Sequence, residues 1–258
     1  MIDAFKSNSS TLLQGPPGVG KFEFSIDCAV DVLDNGGKVV FVAVDMHPVE
    51  IRQWISRYGG DVQKCEGERF LFVDCYSPTI GDSHDVSQDP DILRIDSLSN
   101  IESIGLSISK AAVRLGEPVR IIFYTLSTLF LYNSPQAMAK FFQIVSSRVK
   151  DEYGSILYVL QEGVHDDRTV CLLESLVDGV IQMRYDENLG REWRVHHYRG
   201  RASDSRWTRF DANKYAFVTA VDEKRLVNEF LDYEYGFTQK KMKQSNANLV
   251  TVEATNIE

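Results

Sequence analysis

Gly15-Pro16-Pro17-Gly18-Val19-Gly20-Lys21-Phe22 is the stretch whose residue types and spacing ask for chemistry. It fits G-x-x-x-x-G-K throughout and departs only at the next position, where Phe22 stands in place of Ser or Thr. Glycines let consecutive backbone N–H groups wrap a phosphate chain. A helix beginning inside the motif adds the partial positive charge of its N-terminus. Lys21 can reach the terminal phosphates as a point charge. The hydroxyl missing at position 22 is the one that ligates Mg²⁺, and a phenyl ring offers no oxygen instead. Gly15, Pro16, Pro17, Gly18, Val19, Gly20, Lys21 and Phe22 are therefore the expected contacts of a nucleotide, ATP or ADP, with Mg²⁺ lacking its usual hydroxyl.

The elements around the loop suit that task. Thr11-Leu12-Leu13 leads in as a strand. Residues 21–34 place Phe22, Ile26, Ala29, Val30 and Leu33 on one face and Asp27, Asp31 and Asp34 opposite, a helical period stopped by Asn35-Gly36-Gly37. The apolar run 38–44 reads as a strand covered on both faces. Pro48 suits the first turn of a helix through Ile51, Trp54 and Ile55. Further strands are expected at 69–75, 119–125, 155–160 and 178–184, and helices near 100–115 and 135–150. Residues 76–98, rich in Ser, Asp and Pro, read as one mobile loop. Strand–helix alternation predicts an α/β fold, a mainly parallel sheet flanked by helices. From about 178, DGVIQMRY, EWRVHHY and KYAFVT follow one another without helices, which predicts an antiparallel C-terminal extension. Residues 222–244 are charged and helix-prone, and the last stretch is polar and reads as disordered.

Composition narrows the function. In 258 residues, 43% hydrophobic and 25% charged, an ordinary globular core is expected. Lys and Arg number 28 against 37 Asp and Glu, a formal charge of −9, which argues against a surface built for nucleic acid. No apolar run approaches the roughly 20 residues that span a bilayer. Met1 to Lys6 lacks the layout of a signal peptide, so a cytoplasmic location is expected. Cys28, Cys65, Cys75 and Cys171 form no CxxC pair and suggest neither a disulfide framework nor a metal site.

GPPGVGK, VVFVAVDMHPVEI and VHHYRGRASDSRWTRF together resemble a single-domain archaeal KaiC-like protein of the RecA superfamily. The resemblance covers roughly residues 5–220, so the expected division is a RecA-like P-loop domain over 1–220 and a charged segment and tail over 221–258. It implies ATP binding and a homo-oligomer, often a hexameric ring with nucleotide at the subunit interfaces. It also implies an Asp-Ser pair ending the strand at 119–123, where this chain has Tyr124-Thr125, and a Glu-Glu pair after the second strand, where it has Asp45-Met46. Phe22, Tyr124 and Met46 thus replace three groups that handle metal or water, and no metal ligand is assigned. Asp45 keeps one carboxylate and is the expected water-orienting group. Gln161, ending the strand at 155–160, matches a polar position that senses the terminal phosphate; it reads equally as a polar strand end. Family members reach across the interface with K-x-R-G, here His197-Tyr198-Arg199-Gly200, which makes Arg199 the expected trans contact to a neighbour's phosphates.

Asp74 ends another apolar strand but reads as a turn cap rather than a metal ligand. The arginine-rich stretch 184–209 reads as trans phosphate contact or as intrachain salt bridges before it reads as a nucleic-acid surface. The expectation is an ATP-binding regulatory or assembly protein with weak or absent hydrolysis. Its rivals are a slow ATPase using Asp45 and an interaction module that binds no nucleotide and engages a protein partner through its C-terminal tail.

Overall fold

The computed structural model describes residues 8–62, 64–80, 89–200 and 205–210. They build one nine-stranded sheet between two helical layers. In chain order the elements are β1 (Ser10–Gly15), α1 (Lys21–Asp34), β2 (Lys38–Ala43), α2 (Pro48–Arg57), β3 (Phe70–Asp74), β4 (Ile92–Arg94), α3 (Ile101–Leu115) and β5 (Val119–Tyr124). There follow α4 (Leu126–Leu129), α5 (Pro135–Arg148), β6 (Gly154–Gln161), α6 (Asp167–Leu176), β7 (Gly179–Tyr185), β8 (Arg191–Tyr198) and β9 (Thr208–Arg209). A π-helical turn, Val149–Tyr153, joins α5 to β6.

The strand order is β4-β3-β2-β5-β6-β1-β7-β8-β9. Every pairing from β4 to β7 is parallel, and β8 and β9 add on antiparallel. Residues of the central strands alternate between two buried clusters, as the two-residue period of a strand requires. Leu12, Val40, Val42, Ile121, Phe123 and Tyr158 face the layer of α3, α5 and α6. Leu13, Val39, Phe41, Ile122 and Val159 face the layer of α1 and α2. Because the strands are parallel, their C-terminal ends line one edge of the sheet, the edge where open α/β sheets place ligands.

Two features depart from the sequence reading. The stretch 76–98 is not one loop: it contains a 3₁₀ turn, Ser77–Ile80, and β4, which extends the sheet beyond β3. A three-residue edge strand among polar neighbours carries too little periodicity to be seen in sequence. Helix α6 was also not expected; its start is fixed by Asp166, whose carboxylate accepts from the Thr169 N–H at 2.9 Å. Asp74 caps a turn as expected, accepting from the Tyr76 and Ser77 N–H groups at 3.0 Å each and pairing with Arg94. KYAFVT and everything from 211 onward lie outside the described residues. Among the described residues no helix is long and apolar enough to cross a membrane.

The opposite edge of the sheet is tied together by Asp178. One carboxylate oxygen accepts from the Ser10 N–H at 2.9 Å and the Ser10 hydroxyl at 3.0 Å, and Lys150 approaches at 3.2 Å. Burial alone would raise the Asp178 pKa; the Ser10 and Lys150 contacts outweigh it and hold the carboxyl below its usual range. That contribution to stability is therefore present above about pH 4 and lost as pH falls through the depressed native value. Asp178→Ala is expected to cost about 1–3 kcal/mol by stranding buried donors. Melting curves from pH 7 to 3 check it: the difference between wild type and variant should shrink toward acid, and superimposable curves at pH 7 would refute the role.

Candidate nucleotide site

The loop from Gly15 to Lys21 leaves β1 at the ligand-bearing edge and closes directly into α1. Gly18 and Gly20 have φ of 72° and 105°, the left-handed region that glycine enters without strain. At Gly20 a Cβ would also sit 2.7 Å from the Phe210 ring, so no side chain fits there. The first N–H groups of a helix have no intrahelical acceptor. Helices α2, α3, α5 and α6 cap theirs with His47, Asn100, Ser134 and Asp166; at α1 the cap position is Gly20, which has no side chain to cap with. Uncapped N–H groups, a positive helix end and a glycine turn together make an anion cradle.

Lys21 lies inside that cradle and is 5% exposed. Its Nζ donates to the carbonyls of Gly15 and Pro16, both at 2.6 Å. Burial lowers its pKa to about 8, against the opposing pull of Glu162 and Glu23. Gln161 sits on β6 in register with Gly15, and its amide Nε2 is buried without a hydrogen-bond partner. An orphaned buried donor beside a phosphate-type loop fits a ligand oxygen.

The metal positions are filled differently. The Phe22 ring meets Tyr124 edge-on at 5.1 Å between centroids and Trp54 at 5.7 Å. Met46 packs against the same apolar cluster. Burial raises the Tyr124 pKa far above its usual value, with Asp45 and Glu23 adding to the rise, so its hydroxyl stays protonated. Asp45, exposed at the end of β2, accepts from Thr125 Oγ1 at 2.8 Å and also from Thr128 Oγ1. Both carboxylate oxygens are engaged. Among the described residues no group of three or more His, Cys, Asp or Glu side chains could hold a metal ion. The residues present fit a phosphate chain and do not fit the Mg²⁺ that usually accompanies one.

Arg199 is not brought to the loop. It follows β8 at the Asp178 edge, with its side chain 64% exposed and its Nη1 3.7 Å from Asp178. The six residues of β1, at about 3.3 Å each, separate the two edges by roughly 17 Å. Arg191, at the other end of β8, does reach the loop: it pairs with Glu23 at 3.3 Å and borders Gly20. Tyr185 donates to the Pro17 carbonyl at 3.3 Å. Sequence reasoning missed Tyr185, Arg191 and Phe210 as neighbours of the loop. The antiparallel registry of β7 and β8, which puts Arg191 opposite Tyr185, is the signal that places them.

The model of the KaiC ATPase family matches residues 1–223. The chain belongs to the KaiC ATPase family. A UPF0273 protein of Pyrococcus furiosus is 28% identical over 218 residues, covering 82% of this chain and 85% of that one. The solved structure of a KaiC-like protein from Pyrococcus horikoshii superposes with a TM-score of 0.60 at 16% identity, over 80% of this chain and 87% of that one. A second P. horikoshii protein, solved with an unknown peptide, gives 0.61 at 16% identity, over 80% and 94%. The RecA-like α/β architecture is thereby shown, and the function of this KaiC-family chain is of the nucleotide-binding ATPase type.

The lowered Lys21 pKa carries a pH dependence. The cationic form attracts phosphate, and it is lost as pH rises through about 8. Bound phosphate favours the cation, so binding above that pH draws a proton from solution. Nucleotide affinity should fall from pH 7.5 to 9.5, with proton uptake visible as a buffer-dependent binding enthalpy. A flat profile would show that Lys21 does not meet the ligand.

Proposed function

We propose that this protein binds a nucleotide at Gly15–Lys21 and acts as a regulatory or assembly subunit with little or no hydrolysis. The observation that carries the reading is the joint replacement at Phe22, Tyr124 and Met46. Phe22 and Tyr124, distant in sequence, meet ring to ring, Trp54 packs on Phe22, and Met46 packs against the same core layer. Mg²⁺ neutralises the charge that develops in phosphoryl transfer, and a cluster of rings supplies no substitute. The loop itself keeps its glycines, its open helix end and its lysine. Binding is retained in this account, and turnover is what is given up.

Asp45 favours a second reading. It is an exposed carboxylate beside the site, oriented by two hydroxyls as a water-positioning group would be. A slow ATPase would use it together with groups from a neighbouring subunit. Arg199, exposed and remote from its own loop, is the residue of this chain offered to such a neighbour. A homo-oligomer, with a hexameric ring as the family form, a cytoplasmic location, a domain division near 220 and a protein partner for the tail all belong to the proposal.

Lys21→Ala is expected to weaken ATP or ADP binding at least tenfold, about 1.4 kcal/mol. Wild-type ATP turnover should sit at background. Titration calorimetry and a phosphate-release assay check both. Equal affinity in wild type and Lys21→Ala would remove the nucleotide reading, and robust turnover abolished by Lys21→Ala would replace it with the slow ATPase.

A further inference from the structure

We infer that the site selects a metal-free nucleoside diphosphate over Mg²⁺–nucleoside triphosphate; the inference rests on the nucleotide reading above and names the ligand for it. Three observations converge. An ammonium group has three N–H donors, and Lys21 gives two of them to Gly15 and Pro16 at 2.6 Å. One remains, enough for a single terminal phosphate but not for bridging the last two phosphates of a triphosphate. The volume beside the first turn of α1, where a triphosphate would bring its metal, is occupied by the Phe22 and Tyr124 rings at 5.1 Å. A third phosphate would be pressed against that apolar wall with its charge uncompensated, which is costly in a partly desolvated site.

The surrounding charge acts in the same direction. Glu162 and Glu23 both act electrostatically on Lys21, and Asp45 lies across the site beside Tyr124. Arg191 borders Gly20 but is already paired with Glu23. Each added phosphate charge therefore meets carboxylates without a metal to mask them. A diphosphate avoids the conflict: its terminal phosphate fills the N–H cradle of α1, takes the remaining Lys21 donor, and places an oxygen within reach of the Gln161 side of the loop, where an amide Nε2 lacks a partner.

The test is calorimetric titration of the full chain with ADP and with ATP, each in Mg²⁺ and in EDTA. ADP should bind at least tenfold more tightly than ATP, and EDTA should change neither affinity by more than about threefold. ATP binding as tightly as ADP, or loss of ADP binding in EDTA, would overturn the inference while leaving the nucleotide reading intact. Absence of binding by either nucleotide would overturn both. Phe22→Thr, verified as folded by its melting curve, should bring ATP within about threefold of ADP in Mg²⁺; unchanged selectivity would show that the aromatic wall is not its source. Should Phe22→Thr not fold, the wild-type comparison of ADP with ATP decides the matter alone.

Discussion

β1 is buried between β6 and β7, and both pairings are parallel. Gly15 therefore leaves the sheet level with Gln161 on one side, and on the other a Cβ at Gly15 would meet the Met183 carbonyl at 2.7 Å. That clamp fixes where the loop starts and how α1 must leave it. Parallel pairing of β2 with β5 then sets Ala43 opposite Tyr124, so Asp45 and Thr125 emerge side by side. The convergence of loop, Asp45, Tyr124 and Gln161 follows from strand direction and strand order. No long-range side-chain contact is needed to assemble it.

What fills the assembled site is a matter of side-chain chemistry. A sheet edge built for metal would leave carboxylates and hydroxyls facing one another across water. Here the Phe22 ring packs against Tyr124 and Trp54, and Met46 packs against the same core layer. Aromatic edge-to-face contacts of this kind contribute about 0.5–1.5 kcal/mol beyond area burial. The site has thus exchanged a hydrated ion-handling surface for packing that stabilises the fold. Asp45 survives at the margin, and its two hydroxyl donors keep it solvated by the protein.

Much of this was legible in the sequence. The central strands are buried on both faces, so they appear as continuous apolar runs, and α1 shows a clear 3.6-residue period ended by Asn35 and Gly36. The loop was legible because its spacing is a local property. The three replacements could be listed from sequence, but the contact of Phe22 with Tyr124 and Trp54 could not, since those residues meet only through the strand order. Edge strand β4 and helix α6 were missed because the first is too short to show a period and the second is signalled mainly by its cap at Asp166. Arg191 and Phe210 were unplaced because antiparallel registry decides which end of β8 faces the loop. Arg199 was picked by motif; the fold puts it at the far edge, beside Asp178 and the Ser175 carbonyl.

The central claim is that the replaced metal-handling groups at positions 22 and 124 are what withholds turnover from this chain. The measurement that tests it most directly is phosphate release by Phe22→Thr combined with Tyr124→Asp. Threonine restores a hydroxyl ligand and aspartate an outer carboxylate, while Gly15–Lys21 and Asp45 are untouched. Loss of the Phe22 ring from its cluster can cost roughly 3 kcal/mol, so the variant is first shown to fold by its melting curve. The account predicts Mg²⁺-dependent ATP turnover that rises above the wild-type background and disappears when Lys21→Ala is added. A folded, nucleotide-binding double variant with no turnover above wild type would contradict it.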